Sequence, residues 1–180
     1  MITGHLGIAA AVRSGWRDTS LLWLLPASIA PDLLDVAYAL VGICSPFGLY
    51  SHTVPAATLL ALAVGGAAYL ATGSRTTGMA AGALVLLHLP ADVITGYKYF
   101  WPGAPRMGLE LYRHAALDFA LETSVALGGW WLLRRDPRVP RWATVGAAAA
   151  ALVLVQAVFD SKAIGKPSAC DEKAELSGTP

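Results

Sequence analysis

Histidine and acidic side chains of metal-ligand type are concentrated in the apolar parts of this 180-residue chain. Burying an ionisable group in an apolar medium is costly unless the group is paired or bound to a cation. Imidazole and carboxylate are suitable ligands for zinc, manganese or iron, and clustered carboxylates repel one another unless cations neutralise them. The sequence therefore predicts one site for one to three divalent metal ions, with zinc preferred. Nine residues are its candidate ligands: His5, Asp32, Asp35, His52, His88, Asp92, His114, Asp118 and Glu122.

The spacing of these residues is typical of helices that present two ligands to one metal. His88 and Asp92 are four residues apart, so both side chains leave the same helix face about one turn apart. His114 and Asp118 repeat this spacing, and Glu122 lies on the same helix face one further turn along the chain.

Asp32 and Asp35 are three residues apart and also share a helix face. We expect the carboxylate of this pair that does not bind metal to act as general base or to orient a water molecule, which makes both residues catalytic candidates.

Each piece also has a structural interpretation. A single His–Asp pair within a membrane is as often a structural hydrogen bond, and an Asp after a proline at a helix boundary is often a cap. His5 lies near the N-terminus, where an interfacial position is an alternative. Only the combination of nine such groups favours a metal site.

Composition indicates a membrane protein. The chain is 56% apolar and 14% charged, whereas a soluble domain has about 25% charged residues. The net charge of +1 gives no reason to expect nucleic-acid binding.

The hydropathy pattern predicts an all-α, polytopic membrane helix bundle with about five transmembrane helices and a short N-terminal apolar helix. A helix needs roughly 20 apolar residues to span the hydrocarbon. We expect one membrane-embedded domain over residues 1–160, followed by a polar disordered tail over 161–180. The predicted spans are 20–43, 53–72, 77–97, 110–133 and 142–159, and the short helix covers 2–12.

Lysine and arginine set the expected orientation, because they favour the cytoplasmic side of short loops. Outside the tail, seven of them fall on the side of Arg13 and Arg17 and three on the other. This predicts a cytoplasmic N-terminus, with loops 44–52 and 98–113 outside. Separately, we expect the membrane to be the inner (plasma) membrane of a bacterium or archaeon. The candidate ligands then converge on one layer in the outer half of the bilayer, which His5 approaches at mid-depth if residues 2–12 rise into the bundle.

Over residues 3–103 the chain resembles the membrane-bound metal-dependent hydrolases of the YdjM type, the LexA-binding, inner-membrane-associated hydrolases. The resemblance lies in the order Gly4-His5, Ala30-Pro31-Asp32-x-x-Asp35, Ser51-His52-Thr53 and His88-x-x-Ala91-Asp92, followed by Thr95 and Trp101-Pro102. One departure is that the His-Arg pair often found before the second motif in that family is replaced here by Gly48-Leu49-Tyr50.

The ligand order is also similar, more distantly, to that of the zinc-dependent phospholipase C and S1/P1 nuclease group. That resemblance implies one metal held by Asp32 or Asp35 with His52, His88 and Asp92. It implies a second held by His114 with Asp118, which stands where the group has Glu, and a third near His5. The histidine that the group carries between its two pairs is absent here, so Glu122 would have to substitute.

These observations together predict a metal-dependent hydrolase that cleaves a phosphoester of a lipid or lipid-linked substrate with a metal-activated water. Hydrolysis is implied mainly by the resemblance. The alternative is a metal-ion or proton transporter that uses the same His/Asp cluster. A third interpretation is a membrane scaffold whose polar groups only hold helices together. Oligomeric state is left open.

Overall fold

A computed structural model describes residues 2–138 and Leu154, and this part of the chain is mostly helical. Its helices are α1 (Ile2–Gly15), α2 (Leu21–Ser28), α3 (Ala30–Leu40), α4 (Val54–Thr72), α5 (Arg75–Thr95) and α6 (Ala115–Leu133). Two strands, β1 (Lys98–Tyr99) and β2 (Arg106–Met107), form an antiparallel hairpin after α5. Single 3₁₀ turns cover Pro46–Gly48 and Leu111–Arg113.

A break between α2 and α3 interrupts the first apolar stretch. The two helices are bent by 63° at Ile29. Pro31 lies in the first turn of α3, where its missing N–H costs least, and Asp32 follows it. The bend therefore places the Pro-Asp segment at the start of a new helix.

Helices α4 and α5 pack closely through glycines. A Cβ atom built on Gly65 would lie 2.8 Å from the Gly78 carbonyl oxygen, and one on Gly82 would lie 3.1 Å from the Ala61 carbonyl oxygen. Small residues at these positions let the two backbones approach, as expected for apolar helices. Gly66 faces open space and has no such role.

Helices α1 and α6 form a second close pair. A Cβ on Gly7 would meet the backbone of Val125 and Ala126, and Gly129 lies against the Gly7 backbone. The apolar core lies where α1, α2, α4 and α5 meet, around Leu24 and Leu84. Helix α5 is central, since α4, α2 and α1 all contact it.

Two described helices, α4 and α5, are long and apolar enough to cross a membrane. The broken pair α2–α3 makes a third candidate if it is one span. Helix α6 falls within the predicted span 110–133 but does not reach the same apolarity, and α1 is shorter than a span. Of the predicted span 142–159 only Leu154 is described, and the predicted tail 161–180 lies outside the described residues. The five-span topology stays a prediction.

Candidate metal centre

Four of the nine candidate ligands form one cluster that could hold a metal ion: Asp32, His52, His88 and Asp92. Asp32 comes from the first turn of α3, and His52 lies just before α4. His88 and Asp92 come from the last two turns of α5. One ligand atom from each residue lies within 4.8 Å of the other three.

Five of the six distances between these atoms are close to those of a tetrahedral site. Zinc–ligand bonds of about 2.0–2.1 Å place the corners of a tetrahedron about 3.3 Å apart. His52 Nε2 lies 3.1 Å from His88 Nε2, 3.1 Å from Asp92 Oδ2 and 3.4 Å from Asp32 Oδ1. His88 Nε2 lies 3.4 Å from Asp92 Oδ2 and 3.6 Å from Asp32 Oδ1. The residues present therefore fit a divalent metal ion.

The His88 ring is oriented by the break between α2 and α3. Its Nδ1 lies 2.9 Å from the carbonyl oxygen of Ser28, the last residue of α2. An N–H at Nδ1 donates to that carbonyl, so Nε2 is the nitrogen that faces the cluster. A helix end supplies such a carbonyl because its last C=O groups lack partners within the helix.

The His52 ring is oriented in the same way by a side-chain pair. Its Nδ1 lies 2.7 Å from Ser51 Oγ and 3.3 Å from Asp35 Oδ2, and Ser51 Oγ donates to Asp35 Oδ1 at 2.5 Å. Asp35 thus lies behind the imidazole, on the side away from the other ligands. The structure places it as an outer partner of His52, whereas Asp32 reaches the cluster directly.

Gly48 gives His52 its position. Its backbone φ is +72°, a conformation that favours glycine, and its carbonyl accepts the His52 backbone N–H at 2.7 Å. A Cβ on Gly48 would lie 2.6 Å from His52 Nδ1. Any side chain at this position would therefore displace the ring.

The electrostatic environment of His52 favours a positive charge. Burial and the nearby Lys98 lower the pKa of His52, but the carboxylates of Asp32, Asp35 and Asp92 outweigh both and raise it to about 9. A metal-free cluster thus holds a proton on His52, at the position that a metal would take.

His5 contacts the cluster from α1. Its Nε2 lies 3.3 Å from Asp92 Oδ1, the carboxylate oxygen turned away from His52, and its ring stacks on His88 with centroids 3.7 Å apart. Burial lowers the pKa of His5, which favours the neutral imidazole that metals bind. His5 therefore lies beside the four-residue cluster and positions the Asp92 carboxylate.

The three candidates on or next to α6 occupy different places. Glu122 is buried and accepts hydrogen bonds from Thr3 Oγ1 at 3.0 Å and the Gly4 backbone N–H at 3.4 Å, at the N-terminus of α1. Asp118 is buried one turn earlier, and His114 is exposed and precedes the helix. None of the three belongs to the four-residue cluster. Their role in a second metal site stays a prediction.

Lys98 belongs to the site, although the sequence pattern does not predict it as a site residue. From β1, its Nζ lies 3.3 Å from His52 Nε2 and 3.8 Å from Asp92 Oδ2. No helical spacing links Lys98 to the other residues, since it lies in the short strand β1 that follows α5. A basic residue six positions after a candidate acidic ligand was the only signal present.

The cluster is closed on one side and open on another. The side chains of His52, His88 and Asp92 are at most 6% exposed, whereas those of Asp32 and Lys98 are each 26% exposed. A ligand would therefore approach between Asp32 and Lys98.

The chain matches no protein-family model, no curated protein and no solved structure.

Proposed function

We propose that this protein is an integral membrane, metal-dependent hydrolase that cleaves a phosphoester of a lipid or lipid-linked substrate. The observation that carries the proposal is the close clustering of Asp32, His52, His88 and Asp92, in which both imidazoles are oriented by an outer partner. Such outer partners are typical of histidines that bind metal. The resemblance to YdjM-type hydrolases supports the choice of reaction.

Asp32, His52, His88 and Asp92 would hold the divalent metal, which would supply a bound water with its pKa lowered to about 7 and a positive charge for a phosphoryl oxygen. The residues of the chain supply the proton acceptor. Asp32 Oδ2 is buried and, among the described residues, has no hydrogen-bond partner. Asp35, the carboxylate of the pair that lies outside the cluster, is behind the His52 ring. The unsatisfied second oxygen of Asp32 is therefore our candidate to orient the attacking water and accept its proton.

The position of the cluster favours a substrate at the membrane surface. His52 lies two residues before α4, and His88 and Asp92 lie near the end of α5. Since α4 and α5 are connected by a short turn and pack together, these positions meet at one end of the two apolar helices. A phosphorylated headgroup is the part of a lipid found at that depth.

Metal analysis of purified protein tests the central claim. We expect bound zinc in the wild-type protein and almost none in a His88→Ala/Asp92→Ala variant. His114→Ala, which changes an exposed histidine outside the cluster, is the matched control and should keep the metal of the four-residue site. Equal, negligible metal in all three proteins would overturn the proposal.

The reaction is tested separately with phosphoester lipids in detergent micelles. We expect turnover that a chelator abolishes and zinc restores. Absence of chelator-sensitive turnover across monoesters and diesters would count against a hydrolase. Uptake of zinc or protons into proteoliposomes that depends on His88 would instead favour the transporter.

A further inference from the structure

The ammonium group of Lys98 lies on the metal-facing side of His52. Its Nζ is 3.3 Å from Nε2, the nitrogen that faces the cluster, while Asp35 lies against Nδ1 on the opposite side of the ring. Its distance to the nearest Asp92 oxygen, 3.8 Å, is longer than a charge-assisted hydrogen bond of about 2.7–2.9 Å. The lysine is therefore adjacent to the cluster without being tightly paired to a carboxylate of it.

The hairpin holds Lys98 in this place. Lys98 pairs with Met107 across the two strands, and the carbonyl of Phe100 accepts the backbone N–H of Val54 at 2.9 Å. The Arg106 guanidinium lies 4.0 Å from the centre of the Phe47 ring, which ties β2 to the turn before His52. The position of Lys98 relative to the ligands is thus fixed by contacts to the start of α4 and to that turn.

A second cation next to a metal ion is unfavourable unless an anion lies between them. Asp32 and Asp92 would neutralise a divalent ion in the cluster, which leaves the charge of Lys98 available at the open side. Lysine is a common ligand of phosphate, as a compact charge with three donors. The half-exposed side chain is placed to reach an oxygen of a group that also touches the metal.

We propose that Lys98 binds an anionic phosphoryl oxygen of the substrate and so makes the site specific for phosphate esters. This inference rests on the proposed metal-dependent function and adds the residue that recognises the anion. The rival interpretation is that Lys98 only balances the charge of Asp92 in the folded protein.

Anion binding to the cobalt-substituted protein separates these interpretations. The probe is inorganic phosphate, titrated into protein that contains stoichiometric Co²⁺ and followed by the visible absorption of the metal. The variants are Lys98→Met, which removes the charge at similar length, and Lys98→Arg, which keeps it. Arg75→Met is the matched control, because it removes one positive charge from the exposed start of α5, at the other end of that helix from the site.

We expect phosphate affinity to fall roughly ten- to a hundredfold in Lys98→Met, the loss typical of a hydrogen bond to a charged group. Lys98→Arg should be weakened less, and Arg75→Met should match the wild type. The same titration with lysophosphatidic acid in micelles distinguishes the source of the phosphate. A lysine effect on both probes indicates recognition of phosphate itself, and an effect on the lipid alone indicates a headgroup.

Three results would contradict the proposed role of Lys98, and they differ in what they say about the metal site. If all proteins bind Co²⁺ and Lys98→Met binds both probes as tightly as the wild type, the inference about Lys98 is overturned and the metal site stands. If Lys98→Met loses Co²⁺ together with helicity, measured by circular dichroism, Lys98 is structural and the inference is also overturned. If the wild-type protein binds no Co²⁺, both the inference and the proposed function fail.

Discussion

Each of the two imidazoles has an outer partner at Nδ1, the nitrogen that faces away from the cluster. His88 Nδ1 is held by a backbone carbonyl, and His52 Nδ1 by the Ser51–Asp35 pair. The sequence predicts both histidines as ligands, because the His88–Asp92 spacing and the apolar setting are local features. The sequence does not separate Asp32 from Asp35, because residues three apart share a helix face and only the position of His52 decides which carboxylate reaches the cluster. Nothing in the local sequence around Lys98 or Gly48 indicates that either residue belongs to the site.

Replacing Asp35 by Asn should weaken metal binding without abolishing it. Loss of the outer partner of a ligating histidine typically lowers the metal affinity roughly 10–100-fold. Chelator competition would measure the affinity, and metal analysis the stoichiometry, with Asp18→Asn as the control for loss of one exposed carboxylate. Complete loss of metal would make Asp35 a direct ligand, and unchanged affinity would leave it without a role in metal binding.

Metal affinity should also depend on pH through His52. The pKa of His52 is raised to about 9 in the metal-free cluster, so below that pH a metal must displace a proton to bind. The apparent affinity for zinc should therefore fall about tenfold for each pH unit from 9 to 7. Competition with a chelator of known pH dependence, together with proton release into weak buffer, measures this. An affinity that is constant over the range would contradict the proposed ligand role of His52.

At the scale of single elements, the sequence is most informative about where the apolar helices lie. The apolar stretches predict α4 and α5 well. Glycines in apolar helices are typical of backbones that approach closely, as they do here at Gly65, Gly78 and Gly82. Gly66 belongs to the same run of glycines but faces open space. Composition does not tell which side of a helix meets a neighbour, so the sequence does not separate Gly66 from Gly65. The first apolar stretch is predicted as one span over 20–43, whereas the structure divides it into α2 and α3, bent by 63°. Pro26 and Pro31 are compatible with such a break, but the sequence does not give its angle.

Gly65 and Gly66 allow a matched test of close packing between α4 and α5. Gly65→Ala would bring a Cβ within 2.8 Å of the Gly78 carbonyl oxygen, and overpacking of this kind costs about 1–3 kcal/mol. Gly66→Ala meets no neighbour and should stabilise the helix by roughly 0.5–1 kcal/mol. Unfolding in detergent measures both variants, and equal behaviour of the two would argue against the packing described.

At the scale of the whole molecule, a buried ion pair joins the end of α1 to the residues after α6. Arg13 Nη2 lies 2.9 Å from Asp136 Oδ2, and Arg13 also donates to the carbonyls of Arg17 and Thr19. The sequence indicates only that Arg13 lies near a membrane surface. Its partner is more than 120 positions away, and such long-range pairs are fixed by the packing of α1 on α6 and not by local pattern.

Removing one partner of this pair should destabilise the protein strongly. Asp136→Asn leaves the buried Arg13 charge uncompensated, for which we expect a loss of about 3–5 kcal/mol in the free energy of unfolding. Asp18→Asn is the control, because Asp18 is exposed and pairs loosely with Arg138 at 3.8 Å, where we expect no more than about 1 kcal/mol. Comparable stability of the two variants would show that the Arg13–Asp136 pair contributes little.

The four ligands come from three separate parts of the chain, namely the start of α3, the turn before α4 and the end of α5. A metal ion bound by all four would therefore act as a reversible cross-link that exists only in the assembled bundle. By mass action, free metal at a hundred times its dissociation constant adds about 2.7 kcal/mol to the stability of that state. Metal supply would then control how much of this protein is fully assembled, separately from any reaction at the site.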